Sequence, residues 1–139
     1  MASRKLTGLI ENLSQIIINA PNKLQQSERN EEWTKMVLIM PLIDGLGWDK
    51  ATDISFESRP AETEGWLDFI LRCNTQIGIE AKAIDVNRPT DRNQPQVKKG
   101  LKQSEERGAS YFIWTNGNCW QFYSLALPNA PIYQLMLSK

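Results

Sequence analysis

The sequence predicts an α/β fold in which a central mixed β-sheet is flanked by helices and preceded by an N-terminal amphipathic helix. Apolar residues recur at helical spacing up to about residue 46 and then, past Asp49, at a spacing of two, which is typical of strands. A further helical pattern at 96–107 separates three strand-like runs from an aromatic-rich pair of strands. At 139 residues, the chain has the length of one domain with its own core.

The first predicted helix lies in an N-terminal extension, residues 1–27, ahead of a core at 28–125 and a C-terminal strand within 126–139. Its apolar residues share one helical face: Leu6, Leu9, Ile10, Leu13, Ile16, Ile17 and Ala20. Pro21 follows and stops the helix. The run from Ile16 to Ile18 is more apolar than one face requires, so it packs either in the core or against a second subunit.

A second predicted helix begins near Glu28 and ends at Gly45 and Gly47. Its apolar residues fall on one stripe: Trp33, Met36, Val37, Met40, Ile43 and Leu46. Pro41 lies inside this stripe and removes one backbone hydrogen bond, so we expect it to bend the helix.

Three strands are predicted next, at 52–57, 66–72 and 77–83. The short polar connection at 74–76 predicts that the second and third strands form an antiparallel hairpin. The later elements are a helix at 96–107, strands at 111–115 and 119–125, and a final strand at 132–137. Gly108 ends the helix, and Asn116-Gly117 predicts a type I′ turn with positive φ at both residues.

The composition excludes several kinds of active site. Histidine is absent, so Ser-His-Asp and Cys-His catalysis, a histidine base and His-ligated zinc lack their essential side chain. Sixteen basic residues balance sixteen acidic ones, which argues against binding to nucleic acid by bulk charge. Cys73 and Cys119 form no metal-ligand pair or disulfide framework, and no apolar run is long enough to span a membrane, so we expect a cytoplasmic protein.

A hydrolytic site without histidine is predicted on the second and third strands. Alternation places Glu80 and Lys82 on the face opposite the apolar residues of their strand, and Asp68 joins them if the apolar faces of the hairpin coincide. Two carboxylates and a lysine suit Mg²⁺, with Mn²⁺ as a substitute, and such a metal can activate water to attack a phosphodiester. The alternative is that Glu80 and Lys82 form only a partly exposed ion pair.

Three motifs, in order along the chain, resemble a known family. They are Glu31-Glu32-Trp33-Thr34-Lys35 with Leu38-Ile39-Met40-Pro41-Leu42-Ile43 and Leu46-Gly47-Trp48-Asp49, then Gly65-Trp66-Leu67-Asp68 with Ile79-Glu80-Ala81-Lys82-Ala83, and last Trp114-Thr115-Asn116-Gly117 with Trp120. Together they span about residues 28–125. The pattern is similar to the PD-(D/E)xK nuclease superfamily and, within it, to the N-terminal nuclease domain of type I restriction enzyme R subunits and its free-standing relatives.

The resemblance implies a restriction-endonuclease-like core and a role for each matching residue. It implies that Asp68 and Glu80 bind the metal and that Lys82 is the catalytic lysine. It also implies that Glu31 is the acidic residue that reaches the site from the opening helix, with the neighbouring Glu32 as the alternative.

Gln96 matches a glutamine that in this family follows the lysine strand and contacts the site or the substrate. Gly100 stands where the family usually has an aromatic residue four positions after that glutamine. Gln103 is therefore kept as an alternative.

Basic residues are concentrated after the predicted catalytic strand. Segment 40–80 carries three basic and eight acidic residues, whereas segment 81–139 carries eight basic and four acidic residues. The residues that could meet a phosphate backbone are Arg88, Arg92, Lys98, Lys99 and Lys102. A solvated helix face explains the three lysines equally well, and no motif that reads base sequence is present.

These observations predict a magnesium-dependent DNA endonuclease of the restriction or defence type. Cutting both strands needs two sites, and one chain has one, so we expect a homodimer if the protein cleaves duplex DNA. One alternative is a catalytically silent nuclease-fold module that binds nucleic acid or assembles within a larger restriction or defence complex. Another is a structural domain in which Glu80 and Lys82 merely pair.

Overall fold

The computed structural model describes residues 2–19, 27–49, 51–56, 67–72, 74–90, 94–127 and 131–138. The helical elements are α1 (Ala2–Asn19), α2 (Ser27–Thr34), a π-helical turn (Lys35–Ile39), α3 (Met40–Gly45) and α4 (Pro95–Glu106). The strands are β1 (Ile54–Phe56), β2 (Phe69–Arg72), β3 (Gln76–Ala81), β4 (Tyr111–Thr115), β5 (Cys119–Ser124) and β6 (Tyr133–Met136). The order of helices and strands is the one that the sequence predicts.

The six strands form one mixed sheet in which they lie in chain order. β3 and β4 are parallel and are connected through α4, while every other neighbouring pair is antiparallel. The two hairpins predicted from the sequence, β2 with β3 and β4 with β5, are both confirmed. The fold is therefore α/β with a central mixed sheet.

A hydrophobic cluster lies on each face of the sheet. The larger cluster joins the sheet to the N-terminal helices and includes Leu13, Ile17, Leu38, Ile39, Leu42, Ile43, Phe69, Leu71, Ile79 and Ile113. The smaller cluster joins the sheet to α4 and consists of Leu67, Ile70, Val97, Leu101, Phe112, Trp114, Cys119 and Tyr123. Because Leu13 and Ile17 belong to the larger cluster, α1 packs as part of the main core.

The second helical region departs from the predicted stripe. Met36 and Leu46 were expected to be apolar contacts but are 70% and 54% exposed, whereas Leu38 and Ile39 are buried. Met36 lies within the π-helical turn, whose wider spacing changes the face on which its side chains lie, and Leu46 lies just beyond the end of α3. Pro41 lies at the start of α3, where its missing N–H costs least.

The β4–β5 hairpin closes through a different turn from the one predicted. Gly117 has a positive φ of 87°, but no non-glycine residue in the described ranges does, so the type I′ expectation is wrong for Asn116. Instead, Oδ1 of Asn116 accepts hydrogen bonds from the N–H groups of Asn118 at 3.0 Å and Cys119 at 2.7 Å. This side chain supplies the acceptor that holds the turn together.

Candidate active site

Asp68 lies at a bend immediately before β2. Strict alternation predicts Leu67 on the same face as Phe69, but Leu67 packs with Ile70 in the cluster on the α4 side, so that prediction is wrong. The bend at residue 68 interrupts the alternation. Oδ2 of Asp68 accepts a hydrogen bond from the N–H of Ala81, the last residue of the neighbouring strand β3, at 2.7 Å.

Glu80 and Lys82 flank Ala81 at the end of β3. The N–H of Lys82 donates to the carbonyl oxygen of Thr115 at 2.8 Å, which holds this end of β3 against β4. The Lys82 ammonium lies 3.0 Å from Oε1 of Glu80. Asp68 is therefore fixed beside the middle residue of the triplet that carries the other two predicted catalytic groups.

Lys35 is a member of this cluster that the sequence reasoning missed. Its ammonium nitrogen lies 2.7 Å from Oδ1 of Asp68, 3.7 Å from Glu31 and 3.6 Å from Glu32. The spacing of Lys35 from the two glutamates could have predicted ion pairs within a helix. Its contact with Asp68 joins the helical layer to the sheet, and no periodicity in the sequence indicates such a contact.

The charges of this cluster act on Glu80. Burial raises the pKa of Glu80 to about 7, the carboxylates of Asp68 and Glu31 add to the rise, and Lys82 opposes it. Asp68, Glu80 and Glu31 are thus close enough to interact electrostatically. Of the two glutamates left open by the sequence, Glu31 is the less exposed and acts on Glu80, while both lie near Lys35.

Lys35 remains charged despite its burial. Burial opposes the ammonium form, but the hydrogen bond and charge of Asp68, together with Glu31 and Glu32, outweigh it and raise the pKa of Lys35 above its ordinary value. Each carboxylate at the centre of the cluster therefore has its own cation, Lys35 for Asp68 and Lys82 for Glu80.

Gln96 is held by Trp114 of the neighbouring strand β4. Its Oε1 accepts a hydrogen bond from Nε1 of Trp114 at 2.9 Å, and Trp114 is the residue of β4 paired with Glu80. Gln103 lies two turns further along α4, where its Oε1 accepts a hydrogen bond from Nη1 of Arg107 at 2.7 Å. The position of Gln96 therefore fits the predicted role better than that of Gln103.

The missing aromatic residue at position 100 has a packing reason. Gly100 lies directly against the ring of Phe112, and a Cβ at this position would overlap the ring atoms. Phe112 itself is fully buried in the cluster between α4 and the sheet. Residue 100 must therefore be small in this protein.

The predicted nucleic-acid contacts are exposed where the structure describes them. Lys98, Lys99 and Lys102 lie on the solvent side of α4. Arg88 is exposed in the loop after β3 and lies near Cys119. Burial raises the pKa of the Cys119 thiol, although the charge and hydrogen bond of Arg88 oppose this rise. Arg92 lies outside the described residues.

Two side-chain hydrogen bonds anchor the loop that follows Lys82. The N–H of Ile84 donates to Oγ1 of the buried Thr34 at 3.0 Å. Nδ2 of Asn116 donates to the carbonyl oxygen of Val86 at 2.8 Å. The sequence assigned Asn116 only to turn chemistry, but it also fixes the chain leaving the site.

The donor set fits a hard divalent cation in kind. Asp68 and Glu80 offer carboxylate oxygens, the ligands that Mg²⁺ prefers, and Mg²⁺ usually keeps several waters beside one or two carboxylates. In the described ranges, no three His, Cys, Asp or Glu side chains form a group that could hold a metal ion. Any metal at this site would therefore take the rest of its coordination shell from water or substrate.

Cys119 is a buried free thiol. None of the helices described is long and apolar enough to cross a membrane.

In comparisons with known proteins, no family model, curated protein or solved structure was found to match this chain.

Proposed function

We propose that the protein is a metal-dependent DNA endonuclease, with Asp68 and Glu80 as metal ligands and Lys82 as the catalytic lysine. The observation that carries the proposal is the 2.7 Å hydrogen bond from the Ala81 N–H to Oδ2 of Asp68. This bond brings a carboxylate from one strand beside the Glu80-Ala81-Lys82 triplet of the next.

Each residue has a chemical role in phosphodiester hydrolysis. A bound Mg²⁺ or Mn²⁺ would polarise the phosphate and lower the pKa of a water ligand. Asp68 and Glu80 are mostly buried, so their oxygens are held in place for such a cation. Lys82 is 34% exposed, which allows its ammonium to reach a substrate, orient the attacking water and stabilise charge that develops on the phosphate.

The resemblance to the PD-(D/E)xK superfamily supports the same function. Its implied core, a mixed sheet between helices, agrees with the architecture at that coarse level. Glu31, which the resemblance implies to accompany the site, acts electrostatically on Glu80, and Gln96 is hydrogen-bonded to Trp114, the neighbour of Glu80 on β4. A restriction or defence role in the cytoplasm is part of this proposal.

DNA would approach along the first turns of α4. Lys98 and Lys99 follow Gln96 within one turn, and Lys102 lies one turn further on. Their exposure allows them to contact the phosphate backbone. Such contacts position DNA without reading its sequence, so the choice of target would come from another protein or from DNA structure.

A second candidate is a nuclease-fold module that binds nucleic acid or assembles in a larger complex without cutting. The observation that favours it is that lysines already neutralise both carboxylates, at 2.7 Å for Asp68 and 3.0 Å for Glu80. In this case the ion pairs would serve only to hold the sheet and helices together.

A plasmid-nicking assay tests the proposal. Wild type, Asp68→Ala and Lys82→Ala are compared with Mg²⁺, with Mn²⁺ and with a chelator, and Asp44→Ala serves as the control because Asp44 is an exposed carboxylate of α3. We expect wild type and the control to nick DNA with either metal, and both site variants to lose at least about a hundredfold in rate.

Cleavage that survives unchanged in both site variants would contradict the site assignment. If no variant cleaves supercoiled, linear, single-stranded or branched DNA, the binding module becomes the better description. An electrophoretic mobility assay on the same substrates would then show whether the protein binds DNA without cutting it.

A further inference from the structure

Lys35 belongs to the charged cluster around Asp68, and the proposed mechanism gives it no role. Its 2.7 Å contact with Oδ1 of Asp68 is shorter than its contacts with Glu31 and Glu32 and shorter than the Glu80–Lys82 pair. Lys35 reaches Asp68 from the π-helical turn, so it links the helical layer to the sheet at the carboxylate that would bind a metal.

Both oxygens of Asp68 are occupied. Oδ2 accepts the backbone N–H of Ala81, and Oδ1 faces the Lys35 ammonium. The Ala81 bond is made to the backbone of β3, so Oδ1 is the oxygen that is more readily freed. Asp68 is only 12% exposed, and two cations beside one oxygen in so enclosed a place would repel each other strongly.

An alternative position for the Lys35 ammonium lies within reach. Glu31 and Glu32 are 3.7 and 3.6 Å away, one helical turn before Lys35. Both glutamates are more exposed than Asp68. Rotation of the Lys35 side chain alone would therefore keep its charge paired, without movement of the helix.

We propose that Lys35 is a built-in counter-cation of Asp68, that a divalent cation must displace it to bind Asp68, and that the displaced ammonium is then held by Glu31 and Glu32. This inference rests on the proposed function, because it takes Asp68 as a metal ligand. Lys35 is a positioning residue in this scheme: it compensates and orients the carboxylate while no metal is bound, and it sets the affinity for the metal.

Mn²⁺ binding tests the competition directly. The free ion is measured by electron paramagnetic resonance during titration of wild type, Lys35→Met and Lys5→Met, the last removing the same charge from an exposed position of α1. We expect Lys35→Met to lower the dissociation constant for Mn²⁺ by about tenfold or more, because hydrogen bonds to charged groups have that weight. Lys5→Met should leave it unchanged.

Two further variants make the result specific. Lys35→Gln keeps a hydrogen-bond donor without the charge, so it should also tighten Mn²⁺ binding, and it decides the question if Lys35→Met does not fold. Asp68→Asn should abolish the gain when combined with either variant. In melting experiments, Lys35→Met should unfold at a lower temperature than wild type without metal and gain more from added Mn²⁺.

The outcomes separate this inference from the proposed function. Suppose that both Lys35 variants bind Mn²⁺ no more tightly than wild type, while the single variant Asp68→Asn no longer binds it. The proposed competition between Lys35 and the metal is then wrong, and the metal site stands. If Asp68→Asn leaves Mn²⁺ binding unchanged, or no variant binds Mn²⁺, the metal site itself is wrong and the role of Lys35 fails with it.

Discussion

Glu80 has a pKa of about 7, so its charge changes in the neutral range. In the unfolded chain the same group has its ordinary pKa of 4.5. The folded state therefore binds the proton more tightly, and the contribution of Glu80 to stability becomes less favourable as the pH rises from about 4.5 to about 7. Above about pH 7 the raised pKa of Glu80 lowers the free energy of unfolding by its full amount, about 3 kcal/mol.

Replacement of Glu80 by glutamine should remove this loss. We expect Glu80→Gln, without metal, to raise the free energy of unfolding at pH 8 by about 1 to 3 kcal/mol and to have a much smaller effect at pH 4.5. Urea unfolding across this pH range measures the difference from wild type. Glu106→Gln, at an exposed position of α4, should give no comparable trend. A pH-independent difference for Glu80→Gln would contradict the assigned pKa.

At this scale the sequence predicts residue types better than it predicts contacts. Alternation and the resemblance indicated Asp68, Glu80 and Lys82, and the structure places Asp68 beside the other two. Alternation failed at Leu67, because the chain bends next to it, and Lys35 was missed because it contacts Asp68 across two layers of the fold. Both features depend on tertiary packing, which a local pattern does not encode.

Among the elements, β4 and α4 were predicted most closely, since α4 is shifted by only one residue from the predicted 96–107. β4 begins and ends where its apolar run does, at residues 111 and 115, and the turns on either side are marked by glycine. The helical region around Pro41 was predicted less well, since the π-helical turn shifts its face and leaves Met36 exposed. A pattern that assumes one constant helical period does not predict a π-helical turn or the change of face that it causes.

The contact between α4 and β4 depends on Gly100. A Cβ there would overlap the ring of Phe112, so we expect Gly100→Ala to destabilise the protein by about 1 to 3 kcal/mol. Gly8→Ala is the matched control, because Gly8 lies within α1 and a Cβ there would have no neighbour within 4 Å. It should instead stabilise the protein by up to about 1 kcal/mol.

Chemical unfolding of both variants measures these opposite effects. A second substitution, Phe112→Leu, should recover part of the loss in Gly100→Ala because it removes the ring that the new methyl group meets. Equal stability of Gly100→Ala and wild type would mean that α4 can move away from the sheet at little cost.

The zero net charge of the whole molecule conceals an acidic segment followed by a basic one. The three exposed lysines of α4 lie in the basic segment, so replacing Lys98, Lys99 and Lys102 with alanine should weaken DNA binding. We expect the slope of log affinity against log salt to fall by up to about three, one for each phosphate contact. Fluorescence anisotropy at several salt concentrations measures this slope.

Lys5→Ala is the control for these lysines, because it removes an exposed positive charge from α1. It should leave the salt slope close to that of wild type. If the triple variant also keeps the wild-type slope, the lysines form a solvated helix face and DNA binds elsewhere.

The proposed function predicts that the protein assembles as a homodimer. Ile17 is buried in the core, but Ile16 and Ile18 are 36% and 55% exposed, so α1 presents apolar side chains outward as well as inward. Cleavage of both DNA strands needs two sites, and we expect these side chains to contribute to a homodimer that brings two copies together. Replacement of Ile16 and Ile18 by asparagine should shift the protein towards the monomer in sedimentation experiments. In the plasmid assay the same variant should yield nicked circles in place of linear product, whereas linear product from a protein that sediments as a monomer would contradict the dimer.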